Sequence, residues 1–284
     1  MKVKPSVAIV GPGRFGTALA RALLGAGYRL SEIVSSTSRA SRQSARALAR
    51  LAKINTTSVT RPHLDADVLW ICVPDQQIED LAEQLASLTS WKRKIVFHSS
   101  GALTSDVLNQ LRQRGAVVAS VHPVMTFVHG SVPSFKGIPF GVEGDAAAVR
   151  TARRIIADLL GESFIVEKQD KALYHVWGMF TSPLLLSLVA TAEQVGRAAG
   201  VPAKNIQKKM MPIMMRTLAN YAKLGGAGSF SGPLVRGDVS TIKKHLQVLK
   251  RLPEARQSYV SLARSALLQL PVRNRAEIEK ALRG

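Results

Sequence analysis

Acidic side chains are scarce in this 284-residue chain: 19 Asp and Glu stand against 39 Lys and Arg, a formal net charge of +20. Such a balance raises nucleic acid as a partner. The basic residues, however, are spread along expected helices with no basic tract, zinc-finger pattern or RRM signature. The reading is therefore a surface that draws small anionic cofactors and substrates, with no nucleic acid partner. A single cysteine, Cys72, excludes an internal disulfide framework and a cysteine zinc cluster. It falls in an apolar run, which suits a buried structural thiol. The histidines lack a carboxylate or third ligand at metal spacing, so no metal site is expected. Residues 172–192 carry no Asp, Glu, Lys or Arg, a stretch long enough to suggest a membrane span. His175, Gly178, Thr181, Ser182 and Pro183 interrupt it and no companion span exists, so a helix buried in a core or a dimer interface is expected. With the first expected strand starting at Val7, no leader is expected and the chain reads as cytoplasmic.

What the chain does have begins at Ser6–Gly27. An apolar strand over Val7–Val10 runs into Gly11, Gly13 and Gly16 in the G-x-G-x-x-G spacing, then into an Ala/Leu-rich helix. The first glycine permits a tight turn, the second lets backbone approach a pyrophosphate, and the third lets helix and strand pack closely. The helix N-terminus adds unpaired N–H groups and a positive dipole end. Gly11, Gly13, Arg14, Phe15 and Gly16 are therefore expected to hold a dinucleotide. A NAD site usually has Asp or Glu at the end of the second strand, for the ribose hydroxyls. Here that strand ends near Ser36 and is followed by Ser38, Arg39 and Arg42. Hydroxyls and guanidinium groups suit a 2′-phosphate, which favours NADPH. The competing reading is a solvated arginine on a helix capped by Ser38 or Ser41.

Strands are expected near residues 57–59, over 67–73 and 94–97, and over 116–121, with helices over 41–53, 76–88 and 104–114 between them. This alternation predicts a doubly wound parallel sheet. Residues 138–142 and 163–166 read as further edge strands around a helix over 145–160. From residue 168 the pattern is helical only: one long helix over 169–199, then 203–223, a loop over 225–237, and helices over 238–251, 253–269 and 275–282. The fold class is thus α/β plus all-α, with domains over 1–167 and 168–284.

Ligands bind outside the carboxyl ends of the strands in such sheets. Val73 and Pro74 there are placed against the cofactor, and Ser99, Ser100 and His122 against the substrate; Ser99 and Ser100 could equally shape a loop. On the long helix, His175 lies about 40° and Ser182 about 20° round from Lys171, so one face carries all three. A Lys and a His one turn apart at the domain junction suit catalysis, though a bonded core histidine is the usual fate of a lone one. Arg236, in SGPLVRGDVSTIKKHL, suits an anionic substrate; a structural turn with an Arg–Asp pair is the alternative.

GPGRFG, the HSSGAL segment at His98, SVHPVMTF from Ser120, KALYHV from Lys171 and the Ser231 segment together resemble the bacterial Rossmann-like proteins with a DUF2520 domain. That family looks like a branch of the 6-phosphogluconate dehydrogenase-like, pyrroline-5-carboxylate reductase-like and ketopantoate reductase-like oxidoreductases. The resemblance implies an N-terminal Rossmann domain, a helical domain that often dimerises, and an NADP-dependent reductase of a small 2-keto acid such as ketopantoate. Ser182-Pro183 departs from the Ser-Asn common in such proteins, which puts a substrate role there in doubt. On this reading Lys171 or His175 gives the proton, Ser99, Ser100, His122 and Ser182 orient the substrate, and Arg236 binds its carboxylate. The alternatives are an imine reductase of the pyrroline-5-carboxylate type and a non-catalytic NADPH-binding regulator.

Overall fold

The structure is a computed structural model that describes residues 3–128 and 133–283. The eight strands are β1 (Val7–Val10), β2 (Leu30–Ser35), β3 (Thr56–Ser58), β4 (Val68–Ile71), β5 (Ile95–His98), β6 (Val117–Pro123), β7 (Pro139–Gly144) and β8 (Glu162–Ile165). They form one sheet in the order β3-β2-β1-β4-β5-β6-β7-β8. All neighbours pair in parallel except β6 with β7. The chain leaves β1 for β2 on one side and returns to β4 on the other, so the glycine turn after β1 lies at the switch point of the sheet.

Both faces of this sheet are covered, which is why β1 and β4 are buried at every position and read as continuous apolar runs. Side chains alternate between the two layers. Ile9, Trp70 and Phe97 pack with α1 (Arg14–Gly25), α2 (Arg39–Ala52) and α5 (Ala146–Asp158). Val10, Leu69, Ile71 and Val96 pack with α3 (Ile78–Ala86) and α4 (Asn109–Gln113) on the other face. The Trp70 and Phe97 rings meet edge to face at 5.0 Å.

The remaining helices are α6 (Lys171–Thr181), α7 (Pro183–Ala198), α8 (Ile206–Ser229), α9 (Pro233–Arg236), α10 (Val239–Val248), α11 (Pro253–Gln269) and α12 (Arg275–Arg283). The chain divides into two compact units, Met1–Phe180 and Thr181–Gly284. The first therefore reaches past residue 168, because Lys171 and Tyr174 at the start of α6 are tied to β6. Within the second, Ile242 and Leu246 of α10, Ala263 and Leu267 of α11, and Ile278 and Leu282 of α12 form a small core.

Three helical expectations need correction. The single helix over 169–199 is two helices: Ser182 takes φ −135° and ψ −76°, and Pro183 starts the next helix. Proline supplies no N–H and fits a first helical position better than an interior one. Nor is this apolar stretch buried in the chain's own core: Lys168–Ala198 has an 18-residue window of mean hydropathy 1.3 of which none is buried. Finally, α8 continues beyond residue 223 to Ser229 across a kink at Gly225, whose φ of 70° a side chain would resist.

Phe97 is fully buried against Trp70. Phe97→Ala should cost about 3–5 kcal/mol, seen as a lower urea midpoint with an unchanged slope.

Candidate functional site

The turn after β1 is built by contact. At Gly11, φ is +91° and a Cβ would lie 2.8 Å from the Cys72 carbonyl oxygen; at Gly16 it would lie 2.3 Å from the Gly11 oxygen. Any larger residue would push α1 off the turn. Among the described residues a Cβ at Gly13 would meet nothing and no side chain caps α1, whose first turn carries no acid, so its N–H groups are open to an anion there. Gly11, Pro12 and Gly13 line one side of a cavity of about 530 Å³, with Val73 and Pro74 beside them and Ser36, Ser41 and Ser44 opposite. The volume and the bare amides fit a dinucleotide's phosphates.

Other expected cofactor residues fall differently. Arg14 is exposed at the first position of α1. Phe15 packs on Phe127 at 5.1 Å and on Phe135 at 6.3 Å, which makes it a packing residue. Ser38 caps α2 by accepting from the Ser41 N–H at 3.2 Å. Arg39 and Arg42 are exposed on the first turn of α2, and Arg42 donates to the Thr37 carbonyl oxygen.

A second cluster gathers at the carboxyl ends of β4 to β6. Lys171, only 1% exposed, donates from Nζ to Ser120 Oγ at 2.7 Å. The Ser120 hydroxyl in turn donates to the Ser100 carbonyl oxygen at 3.0 Å. Ser100 is committed to its loop: Oγ donates to Asp75 at 2.6 Å and accepts from the Ala102 and Leu103 N–H groups, so it shapes the turn. Ser99 Oγ accepts from Trp70 Nε1 at 2.8 Å, and among the described residues no acceptor takes its own hydrogen. His98 is likewise structural, with Nδ1 accepting from the Ser100 N–H at 3.2 Å and Nε2 lying 3.1 Å from the Thr104 carbonyl oxygen.

His122 Nδ1 lies 2.6 Å from the Tyr174 hydroxyl. Both imidazoles close on Gly101, where a Cβ would lie 2.9 Å from His122 Nε2 and 2.9 Å from His175 Cδ2. The Lys171 ammonium sits 5.2 Å from the centre of the Tyr174 ring. Lys171, His175, His122 and Ser99 are thus in one unit, with Ser120 and Tyr174 as the partners that residue types alone did not single out. A signal existed for both. Ser120 shares a strand face with His122 two residues on, and Tyr174 is three residues beyond Lys171, on the neighbouring flank of one helix.

Burial dominates the electrostatics. It lowers Lys171 to about 8, although the Glu143 and Asp75 carboxylates pull it back up. It lowers His98 to about 3 and His122 to about 4, the Lys171 charge adding to both shifts. It pushes the Tyr174 phenol up to about 12. Tyr174 is then the donor and neutral His122 accepts at Nδ1, which leaves the proton on Nε2. Burial also raises the Cys72 thiol, as expected of an inert one.

Ser182 and Arg236 belong to the second unit. Ser182 is the residue at which the helix breaks, so the face shared with Lys171 ends before it. Arg236 is exposed at the end of α9. Asp238 caps α10 by accepting from the Thr241 N–H at 3.0 Å and its hydroxyl at 2.7 Å. Among the described residues no group of His, Cys, Asp and Glu could hold a metal.

The family models for a Rossmann-like domain and for the domain of unknown function DUF2520 match residues 1–123 and 138–266. Solved structures share the fold at low identity. One is a Bacteroides fragilis protein assigned as an NADP oxidoreductase: 21% identity, TM-score 0.74, covering 92% of this chain and 97% of that one. Another is a pyrroline-5-carboxylate reductase of Coxiella burnetii: 14% identity, TM-score 0.60, covering 93% and 98%. A third is a reductive aminase of Aspergillus terreus in complex with NADPH and ethyl-5-oxohexanoate: 13% identity, TM-score 0.66, covering 98% and 99%. No curated protein matches the chain by sequence.

The buried cluster has a pH signature. His122 titrates near 4 when folded against 6.5 when free, so the unfolded chain takes the proton first. Its stability contribution is full above pH 6.5 and lost as pH falls toward 4. Lys171 titrates near 8 against 10.5, so its burial cost is full below pH 8 and relieved toward 10.5. In urea unfolding across pH 4–10.5, His122→Asn should flatten the acid limb. The stability difference between wild type and Lys171→Met should move in favour of wild type above pH 8. Parallel curves would contradict this.

Proposed function

The chain is a Rossmann-like, DUF2520 domain-containing protein, and from that premise we propose that it is an NADPH-dependent reductase of a small anionic carbonyl compound. One observation carries the reading. A lysine ammonium is buried against Ser120 beside a phenol–imidazole pair, on the same sheet edge as the bare glycine turn. Gly11, Gly13 and the amides of α1 take the pyrophosphate, while Arg39 and Arg42 take the 2′-phosphate, no carboxylate standing at the end of β2 to select NADH. Bound NADPH supplies the hydride.

The residues around it manage the proton. Lys171 holds one at Nζ with a pKa near neutrality, the range in which donation and recovery are both fast. The hydrogen bond to Ser120 fixes where that ammonium points. His122 Nε2–H is an oriented neutral donor suited to polarising a carbonyl oxygen, held by Tyr174. His175 and the hydroxyl of Ser99 complete the polar surface of the first unit. A cyclic imine is the second reading, favoured by the fold shared with the pyrroline-5-carboxylate reductase.

NADPH should bind at least tenfold more tightly than NADH, and Arg39→Ala with Arg42→Ala should remove most of that difference. A panel of 2-keto acids and cyclic imines, followed by NADPH oxidation, separates the two substrate readings. On the substrate found, Lys171→Met should lower kcat by about 100- to 10,000-fold with little change in NADPH affinity. Full activity in both Lys171→Ala and His175→Ala would remove these roles. NADPH binding without turnover across the panel would favour the regulator instead.

The unburied apolar faces of α7 and α8 are assigned to a second copy of the chain. Leu186 is 68% exposed and Ile213 69%, alongside exposed Leu184, Met215 and Leu218. Such faces are rarely left to water in a monomer. Light scattering after size exclusion, without detergent, should give a dimer, and Leu186→Glu with Ile213→Glu should give a monomer. A wild-type monomer, or a chain soluble only in detergent, would overturn the assignment.

A further inference from the structure

Within the second unit, residues 181–284 hold 17 Lys and Arg against five Asp and Glu. Part of that charge converges. Helices α10, α11 and α12, with the turn after α10, enclose a depression of about 440 Å³ lined by Lys243, Gln247, Lys250, Arg256, Glu277 and Lys280. Four cations thus face one carboxylate, and among the described residues none of the five forms an ion pair.

Arg256 sets this place apart from a merely basic surface. Five other arginines of the unit are anchored: Arg251, Arg264 and Arg275 donate to backbone carbonyls, and Arg197 and Arg283 pair with glutamates. Arg256 is half-buried, and its Nε is enclosed without an acceptor among the described residues. An unsatisfied buried donor is costly enough to call for a reason. A small shift of the guanidinium onto an oxyanion would satisfy it, since the planar fork matches phosphate oxygens.

We propose that this depression binds a phosphate-bearing small molecule. An excess of three positive charges suits a multiply charged anion better than a single carboxylate. The site is a concavity between three helices with Glu277 in its wall, which suits one compact phosphate group; a nucleic-acid strand would run its charges along an open basic stripe. This site is built from second-unit residues and does not depend on the reductase reading.

The test is calorimetric titration of the full chain with pyrophosphate and with inorganic phosphate at low salt, without NADP⁺, whose own phosphates would compete for the depression. Saturable binding of either probe that the second-unit variants weaken is expected, and the tighter of the two distinguishes a free ion from a phosphate ester or anhydride. Arg256→Gln should weaken it at least tenfold. The exposed pair Lys250→Gln with Lys280→Gln, which leaves the core untouched, should weaken it comparably, with NADP⁺ affinity within twofold of wild type. Unchanged probe affinity in the Lys pair would overturn the proposal. So would a 20-nucleotide single strand binding in place of the phosphates and losing affinity in the same variants. Should NADP⁺ itself fail to bind, the variants still report on the second unit alone.

Discussion

A lysine ammonium almost wholly removed from water, held by one serine hydroxyl, is the constraint around which the first unit closes. Burying an unpaired cation is expensive, and the protein meets that cost by lowering the lysine's pKa and by keeping Glu143 and Asp75 near enough to pull against the shift. Neither acid is simply a counter-ion. Glu143 is occupied by the N–H and hydroxyl of Ser105, and Asp75 by the hydroxyl of Ser100. The ammonium is consequently stabilised at a distance and left with protons to give. Its contact with Ser120 also draws the start of α6 into the first unit, which is why that unit extends through Phe180.

The same positive charge explains the state of its neighbours. His98 and His122 are both held neutral, by burial first and by the lysine second. For His98 neutrality is structural, because both ring nitrogens serve the loop after β5. For His122 it is directional: a phenol that stays protonated fills one nitrogen and leaves the hydrogen on the other. One electrostatic arrangement therefore gives a fixed imidazole and an oriented one, and only the second has the freedom a substrate group requires.

The sheet was legible because its physics is local. Four-residue apolar runs ending in Gly, Pro or His announce buried parallel strands, and the spacing of Gly11, Gly13 and Gly16 is dictated by atoms that would otherwise collide. Lys171 and His175 were legible for the same reason, being one turn apart. What sequence did not reveal was pairing across the fold. Ser120 and Tyr174 matter through partners 51 and 52 residues away. Phe15, inside the glycine motif, turned out to face Phe127 and Phe135. Ser182 was placed on the face of Lys171 by a helix assumed to be unbroken, although Pro183 was visible and a helix interior tolerates it poorly.

The shortage of acids returns as a structural matter. Most carboxylates with clear partners are engaged in building the fold: Asp67 with Ser6, Glu32 with the His63 and Leu64 N–H groups, Asp145 with the Val118 N–H, Asp158 with Tyr28 and Asp238 with Thr241. Each satisfies a polar group that burial or a helix terminus would leave without a partner, and Asp145 and Asp158 pair in addition with Arg112 and Lys4. An excess of 20 positive charges cannot then be balanced from within, so anions must come from outside wherever cations converge. Two places differ in what they offer an anion. The turn after β1 has backbone amides and a helix end, groups suited to phosphate without any side chain, whereas α10 to α12 have basic side chains without an ion-pair partner among the described residues. The imbalance of charge visible in the sequence thus leaves basic side chains whose charge solvent ions or an anionic ligand must balance.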